Sequence, residues 1–127
     1  MKLSIIQFAP VLDDNNNNNI EKISSLLDRC KGSDLILLPE LSNSGYNFQS
    51  KEEAFNSSIE LDNSNFIDFL KNKSTQLNSG IICGVNERAK DGLYNSAIFI
   101  DGNKIIGKYQ KLHLFAKEHL YFNPGDN

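Results

Sequence analysis

Asp34-Leu35-Ile36-Leu37-Leu38-Pro39-Glu40 is the stretch on which the reading of the fold turns. Its apolar residues run without alternation, as a strand covered on both faces requires. Pro39 has no amide hydrogen for a ladder, so the strand must end there. Glu40 then follows at the carboxyl end of a buried strand, the edge at which α/β proteins bind ligands. Before this strand, Ile20, Ile23, Leu26, Leu27 and Cys30 recur at helical spacing, with Glu21, Lys22, Asp28 and Arg29 on other faces. The polar tract Asn15 to Asn19 reads as a low-complexity loop leading into an asparagine cap, and Gly32 as the stop signal. Residues 3–9 form another short apolar run with strand character.

Beyond Glu40, residues 41–50 are loop-like and 51–57 suit a short helix. A longer helix runs from Asn65 to Leu77, capped by Ser64 or Asn63, with Phe66, Ile67, Leu70 and Leu77 on its apolar face. Three strand-like runs follow, Gly80 to Val85, Tyr94 to Ile100 and Lys104 to Tyr109, the last two joined by a hairpin turn at Asp101-Gly102-Asn103. Residues 110–127 read as an ordered loop with a turn at Asn123-Pro124-Gly125. The order β-α-β-α-β-β-β predicts an α/β domain over residues 1–127, with two long helices laid against a mixed sheet.

Hydrophobic residues make up 39% and charged residues 23% of the 127, a balance that folds and does not stay disordered. The net charge of -3 offers no general attraction to nucleic acid or to an anionic membrane. The apolar N-terminus is interrupted by Gln7 and Pro10, too early for a signal peptide, and no run approaches a membrane span. A cytoplasmic protein is the expectation. Cys30 and Cys83 lack metal-type spacing and read as reduced, buried thiols.

Two residues stand where chemistry could be built. Glu40 follows a strand, and apolar neighbours there would raise its pKa toward that of a general base. Lys111 stands just past the strand ending at Tyr109, where an ammonium can meet a developing oxyanion. Taken singly, the plainer readings prevail: a solvated carboxylate and a snorkelling surface lysine. His113 and His119 lie six residues apart with no ligand set around them, so loop or core histidines are the better reading than a metal site. No glycine-rich phosphate loop and no G-x-S-x-G turn is present.

As a set, the segments resemble the carbon–nitrogen hydrolase (nitrilase) superfamily. Leu37-Leu38-Pro39-Glu40 with Gly45-Tyr46 is similar to its glutamate motif. Lys108-Tyr109-Gln110-Lys111-Leu112-His113-Leu114-Phe115 is similar to its lysine motif, with Gln110 where arginine or aspartate is commoner. Gln7-Phe8-Ala9-Pro10, Gly84-Val85-Asn86-Glu87, Leu93-Tyr94-Asn95-Ser96-Ala97, and Glu118 with Tyr121-Phe122 and Pro124-Gly125 match in the same order.

The resemblance implies the N-terminal portion of a four-layer α-β-β-α sandwich about twice this length, from the amidase-like branch. It implies a thiol amidohydrolase with a Glu-Lys-Cys triad: Glu40 as general base, Lys111 as oxyanion stabiliser, Glu118 holding the lysine or positioning substrate, and Tyr46 lining the pocket. The substrate would be a small amide, no cofactor or metal is needed, and the full-length form would be a homo-oligomer. The family's cysteine lies beyond the Pro124-Gly125 turn, at a position that neither Cys30 nor Cys83 occupies. These residues alone are therefore expected to lack amidase activity and to leave apolar sheet surface uncovered. Two other readings remain: an inactive fragment or interaction subunit of the same fold, and an unrelated flavodoxin-like binding module. The three consecutive strands argue against the last.

Overall fold

The computed structural model describes residues 1–13 and 15–126. Among these residues five strands form one sheet, in the order β1-β2-β3-β4-β5. They are β1 (Leu3–Ile5), β2 (Leu35–Leu37), β3 (Gly80–Ala89), β4 (Gly92–Asp101) and β5 (Lys104–Gln110). The first three run parallel and the last three antiparallel, which makes the sheet mixed. The helices among the described residues are α1 (Asn17–Leu27), α2 (Lys51–Asn56) and α3 (Asn65–Leu77). Tight 3-10 turns add Asp28–Cys30 and Ala116–Leu120. The expected α/β class and both long helices are present.

α3 begins where its cap predicts. The Ser64 hydroxyl accepts from the amides of Phe66 (3.2 Å) and Ile67 (3.5 Å). α1 differs from expectation. Asn16 adopts φ 63° and offers no side-chain cap; the Asp13 carboxylate instead accepts from the Asn18 amide at 2.8 Å. An acid there also meets the positive end of the helix dipole. The asparagine tract is more than a polar spacer, because Asn19 is fully buried. Its side-chain amide donates to the carbonyls of Val11 (2.7 Å) and Asn43 (3.0 Å), and its oxygen accepts from the Val11 amide. Gly32 does follow the end of α1 and its 3-10 turn, at φ 78°.

β1 and β2 are shorter than the apolar runs that announce them, and β3 and β4 are longer. Asn86, Glu87 and Arg88 carry β3 onward to a second hairpin, paired with Asn95, Tyr94 and Leu93. Strand length here follows the ladder, not hydrophobicity. The ordered stretch expected over 110–127 is described to residue 126, and Asn127 lies outside the described residues.

The main core lies on the helix side of the sheet. Ile36, Ile81, Cys83, Val85, Ile98 and Ile100 meet Ile23, Leu27, Phe66, Ile67 and Leu70 of α1 and α3. Burial on that scale is the dominant favourable contribution to folding. The register places Leu3, Leu35, Leu37, Ile82, Phe99, Ala97 and Tyr109 on the other face. Among the described residues neither α1 nor α3 packs there. Leu3 and Tyr109 are each 47% exposed and Ile5 73%. At one end of this second face a smaller cluster of Leu41, Phe48, Ala54, Leu93 and Phe122 closes over the sheet. Among the described residues no helix is long and apolar enough to cross a membrane.

Candidate active site

The segment after β2 folds back across β3. Ser42 donates its amide to the Gly84 carbonyl (2.8 Å), and the Gly84 amide donates to the Pro39 carbonyl (3.2 Å). Gly84 makes this approach possible. A β-carbon on it would collide with the Glu40 Cα and lie 2.9 Å from the Pro39 oxygen. The Asn43 side chain then imitates a neighbouring strand: its oxygen accepts from the Asn86 amide at 2.8 Å and its nitrogen reaches the Asn86 carbonyl at 3.4 Å. Leu41, immediately after Glu40, is held at φ 47°, a left-handed conformation that a branched side chain adopts at a cost. The carboxylate is thus presented from a tightly anchored loop.

Lys111 is fixed from the other side. Its amide donates to the Asn95 carbonyl (2.9 Å) and its carbonyl accepts from Gly125 (2.9 Å). Glu118 stands in the 3-10 turn Ala116–Leu120, and one of its oxygens accepts from the Phe115 amide at 2.6 Å.

These three side chains converge. The Lys111 Nζ lies 3.0 Å from Glu40 Oε1 and 2.9 Å from Glu118 Oε2. The Asn95 side-chain amide donates to Oε1 of Glu40 (2.5 Å) and Oε1 of Glu118 (2.7 Å). The Tyr46 hydroxyl donates to Glu40 Oε2. All three residues singled out in the sequence therefore meet at one place, and Tyr46 joins them. Asn95 escaped the sequence reading as a site residue. Its signal was a polar pair, Asn95-Ser96, inside an otherwise apolar strand.

Charge in the cluster departs from the expected tuning. Burial pushes the Glu40 carboxyl up, as apolar surroundings should, but hydrogen bonds from Tyr46, Lys111 and Asn95 outweigh it and hold Glu40 below the usual glutamate value. Glu118 is lowered in the same way: burial raises it, and the Phe115 amide, Lys111 and Asn95 more than compensate. Burial pushes Lys111 down, and the two carboxylates carry it above the ordinary lysine value. Tyr46 is pushed up by burial and by the Glu40 carboxylate. At neutral pH the arrangement is two carboxylates around one ammonium.

The hollow in front of this cluster has a volume of about 340 Å³ and is walled by Tyr46, Phe48, Phe115, Tyr121 and Phe122. It is open, not sealed. The side chain of Glu40 is 40% exposed and that of Lys111 29%. An oxyanion site gains most when water is excluded.

Both cysteines are free and buried, and neither belongs to the cluster. Cys83 points into the helix-side core, where burial pushes its thiol up to about 12. Cys30 ends the 3-10 turn after α1. His113 and His119 are both exposed. Among the described residues no group of His, Cys, Asp or Glu side chains is placed to hold a metal ion.

Comparison with known proteins bears on the whole chain. The carbon-nitrogen hydrolase family model matches residues 2–127. A protein named nitrilase from Pyrococcus abyssi is 34% identical over 128 aligned residues, covering 99% of this chain and 48% of its own length. The omega-amidase YafV of Escherichia coli K12 is 27% identical, covering 99% of this chain and 47% of its own. The chain thus spans about half the length of the curated relatives it matches. Among solved structures, a CN-hydrolase superfamily protein from Xanthomonas campestris, bearing an arsenic adduct in its active site, superposes with a TM-score of 0.84 at 25% identity. That match covers 98% of this chain and 46% of the other. The agreement of sequence and fold along nearly all of its residues makes this chain a member of the carbon–nitrogen hydrolase family.

Proposed function

We propose that these residues supply the general base and the oxyanion-stabilising charge of an enzyme that hydrolyses a non-peptide carbon–nitrogen bond in a small amide. The reading is carried by the convergence of Glu40 and Lys111, 3.0 Å apart at the mouth of an aromatic hollow. Relatives named omega-amidase support an amide as the substrate class.

In this reading a cysteine from outside these residues completes a Glu-Lys-Cys triad. Glu40 takes the thiol proton, and the thiolate adds to the amide carbon. The carbonyl oxygen becomes an oxyanion beside the Lys111 ammonium. The C–N bond breaks as the leaving nitrogen takes up the proton, which leaves a thioester. Glu40 then takes a proton from water; hydroxide attacks the thioester, the thiolate departs and recovers that proton from Glu40, and the acid is released. Oε2 is the oxygen of Glu40 suited to the proton, because it accepts from Tyr46 alone whereas Oε1 accepts from both Asn95 and Lys111. Glu118 holds the lysine, and the aromatic wall receives the acyl part of the substrate.

Neither cysteine of the chain reaches this site, so residues 1–127 alone are expected to be inactive. The uncovered apolar sheet face suits this reading and equally a second, an interaction subunit of the same fold. Acid-quench mass spectrometry with a small amide distinguishes them. The hydrolase reading expects an acyl adduct on a cysteine of the whole gene product and none on residues 1–127. An adduct on Cys30 or Cys83, or no adduct on a product that contains a further cysteine, would overturn it.

A further inference from the structure

Asn95 touches each of the three charged residues. Its backbone carbonyl accepts from the Lys111 amide at 2.9 Å. Its side-chain nitrogen lies 2.5 Å from Glu40 Oε1 and 2.7 Å from Glu118 Oε1. It stands on the central part of the sheet, 3% exposed and paired in register with Asn86. We propose that Asn95 is the positioning residue of the site: a single side-chain amide ties the carboxylates of Glu40 and Glu118 to each other, while its carbonyl anchors the start of the segment that carries Lys111.

The geometry requires such a device. Two ionised carboxylates only accept hydrogen bonds and repel each other. An ammonium on a four-carbon stem neutralises charge but sets direction poorly. The planar amide of asparagine has two N–H groups at a fixed angle, and β4 holds it rigidly. The ammonium of Lys111 reaches Glu40 Oε1 (3.0 Å) and both oxygens of Glu118 (3.2 and 2.9 Å). Because Asn95 holds one oxygen of each acid as well, Lys111 can exchange one of these contacts for a substrate oxyanion without releasing either carboxylate. What Asn95 positions rests on the hydrolase reading given above; that it bridges the two acids does not.

The bridge can be read without turnover, by NMR of the 127-residue chain between about pH 7 and about pH 3. The other titratable side chains lining the two hollows beside the cluster are Lys111, Tyr46, Lys117 and Tyr121 on one side and Tyr109 and His113 on the other. In the wild type the Asn95 side-chain amide protons shift as each of the two acids protonates. In Asn95→Leu, which keeps bulk and removes both donors, the carboxylate carbons of Glu40 and Glu118 both titrate at higher pH. A residue that merely filled space would move neither midpoint. The proposal is overturned if the amide protons of Asn95 follow neither acid, or if Asn95→Leu shifts one midpoint alone or none. Should Asn95→Leu fail to fold, the wild-type amide resonances decide. Failure here leaves the acyl-adduct test standing, and failure of that test leaves the bridge measurable.

Discussion

The Nζ of Lys111 lies 3.0 Å from Oε1 of Glu40, although the two side chains leave strands that are not neighbours. Glu40 follows β2 and Lys111 follows β5, with β3 and β4 between them. The gap is closed from both sides. The Glu40 loop lies across Gly84 of β3, and Lys111 is tethered to Asn95 of β4. The pair therefore reports on the integrity of four strands at once.

Stability should fall in acid because of this cluster. Glu40 and Glu118 both titrate below the ordinary glutamate value of 4.5 in the folded chain. A lowered folded value means stabilisation that is fully present above 4.5 and lost as the pH falls through the folded values. Lys111, raised above 10.5, adds stabilisation that disappears only in strong base. Urea unfolding midpoints should drop as the pH falls from about 5 to about 3, and less so in Glu40→Gln/Glu118→Gln. An equal drop in the double variant would show that these acids are not responsible.

Tyr46→Phe removes the donor on Glu40 Oε2 and leaves Asn95 and Lys111 on Oε1. The carboxylate of Glu40 should then titrate at higher pH than in the wild type, while Glu118 moves little. An unchanged Glu40 midpoint would mean that the tyrosine hydroxyl spends its time elsewhere.

Gly84→Ala places a methyl group against the Glu40 Cα and the Pro39 carbonyl, both backbone atoms with little room to give. Overpacking of this kind costs about 1–3 kcal/mol. The denaturation midpoint should fall accordingly, and the Glu40–Lys111 pair should loosen. A variant as stable as the wild type would show that the loop does not lie on β3 as described.

Cys30 and Cys83 should be silent toward a thiol reagent at about pH 8 in the folded chain and react on unfolding. Burial and a thiol pushed up to about 12 make Cys83 a poor nucleophile. Rapid modification of Cys83 in the native state would contradict its assignment to the core.

Much of this was written locally in the chain. The apolar stripe and Ser64 placed α3 from Asn65 to Leu77 without help from tertiary structure. The positions of Glu40 and Lys111 past strand ends were equally visible, and their pairing became legible only through the family's motif order. Other features were hidden for physical reasons. Polar Asn86, Glu87 and Arg88 gave no hydrophobic signal for the end of β3, yet the ladder to β4 carries them. Buried Asn19 looked like one more residue of a polar tract, because its partners Val11 and Asn43 flank it at a distance in sequence. The direction of the Glu40 shift also ran against expectation. Its donors come from positions 6, 55 and 71 residues away, and no local pattern announces them.

We propose that Glu40 and Lys111 act together as base and oxyanion partner. The most direct test is the rate of ammonia release from a small amide by the whole gene product and its Glu40→Gln and Lys111→Met variants. Loss of a general base lowers kcat by about 10²–10⁴-fold, and loss of an oxyanion donor by about 10²–10³-fold. Falls of that order are expected in both variants, with KM changed little. Turnover within about tenfold of wild type in either one would contradict it.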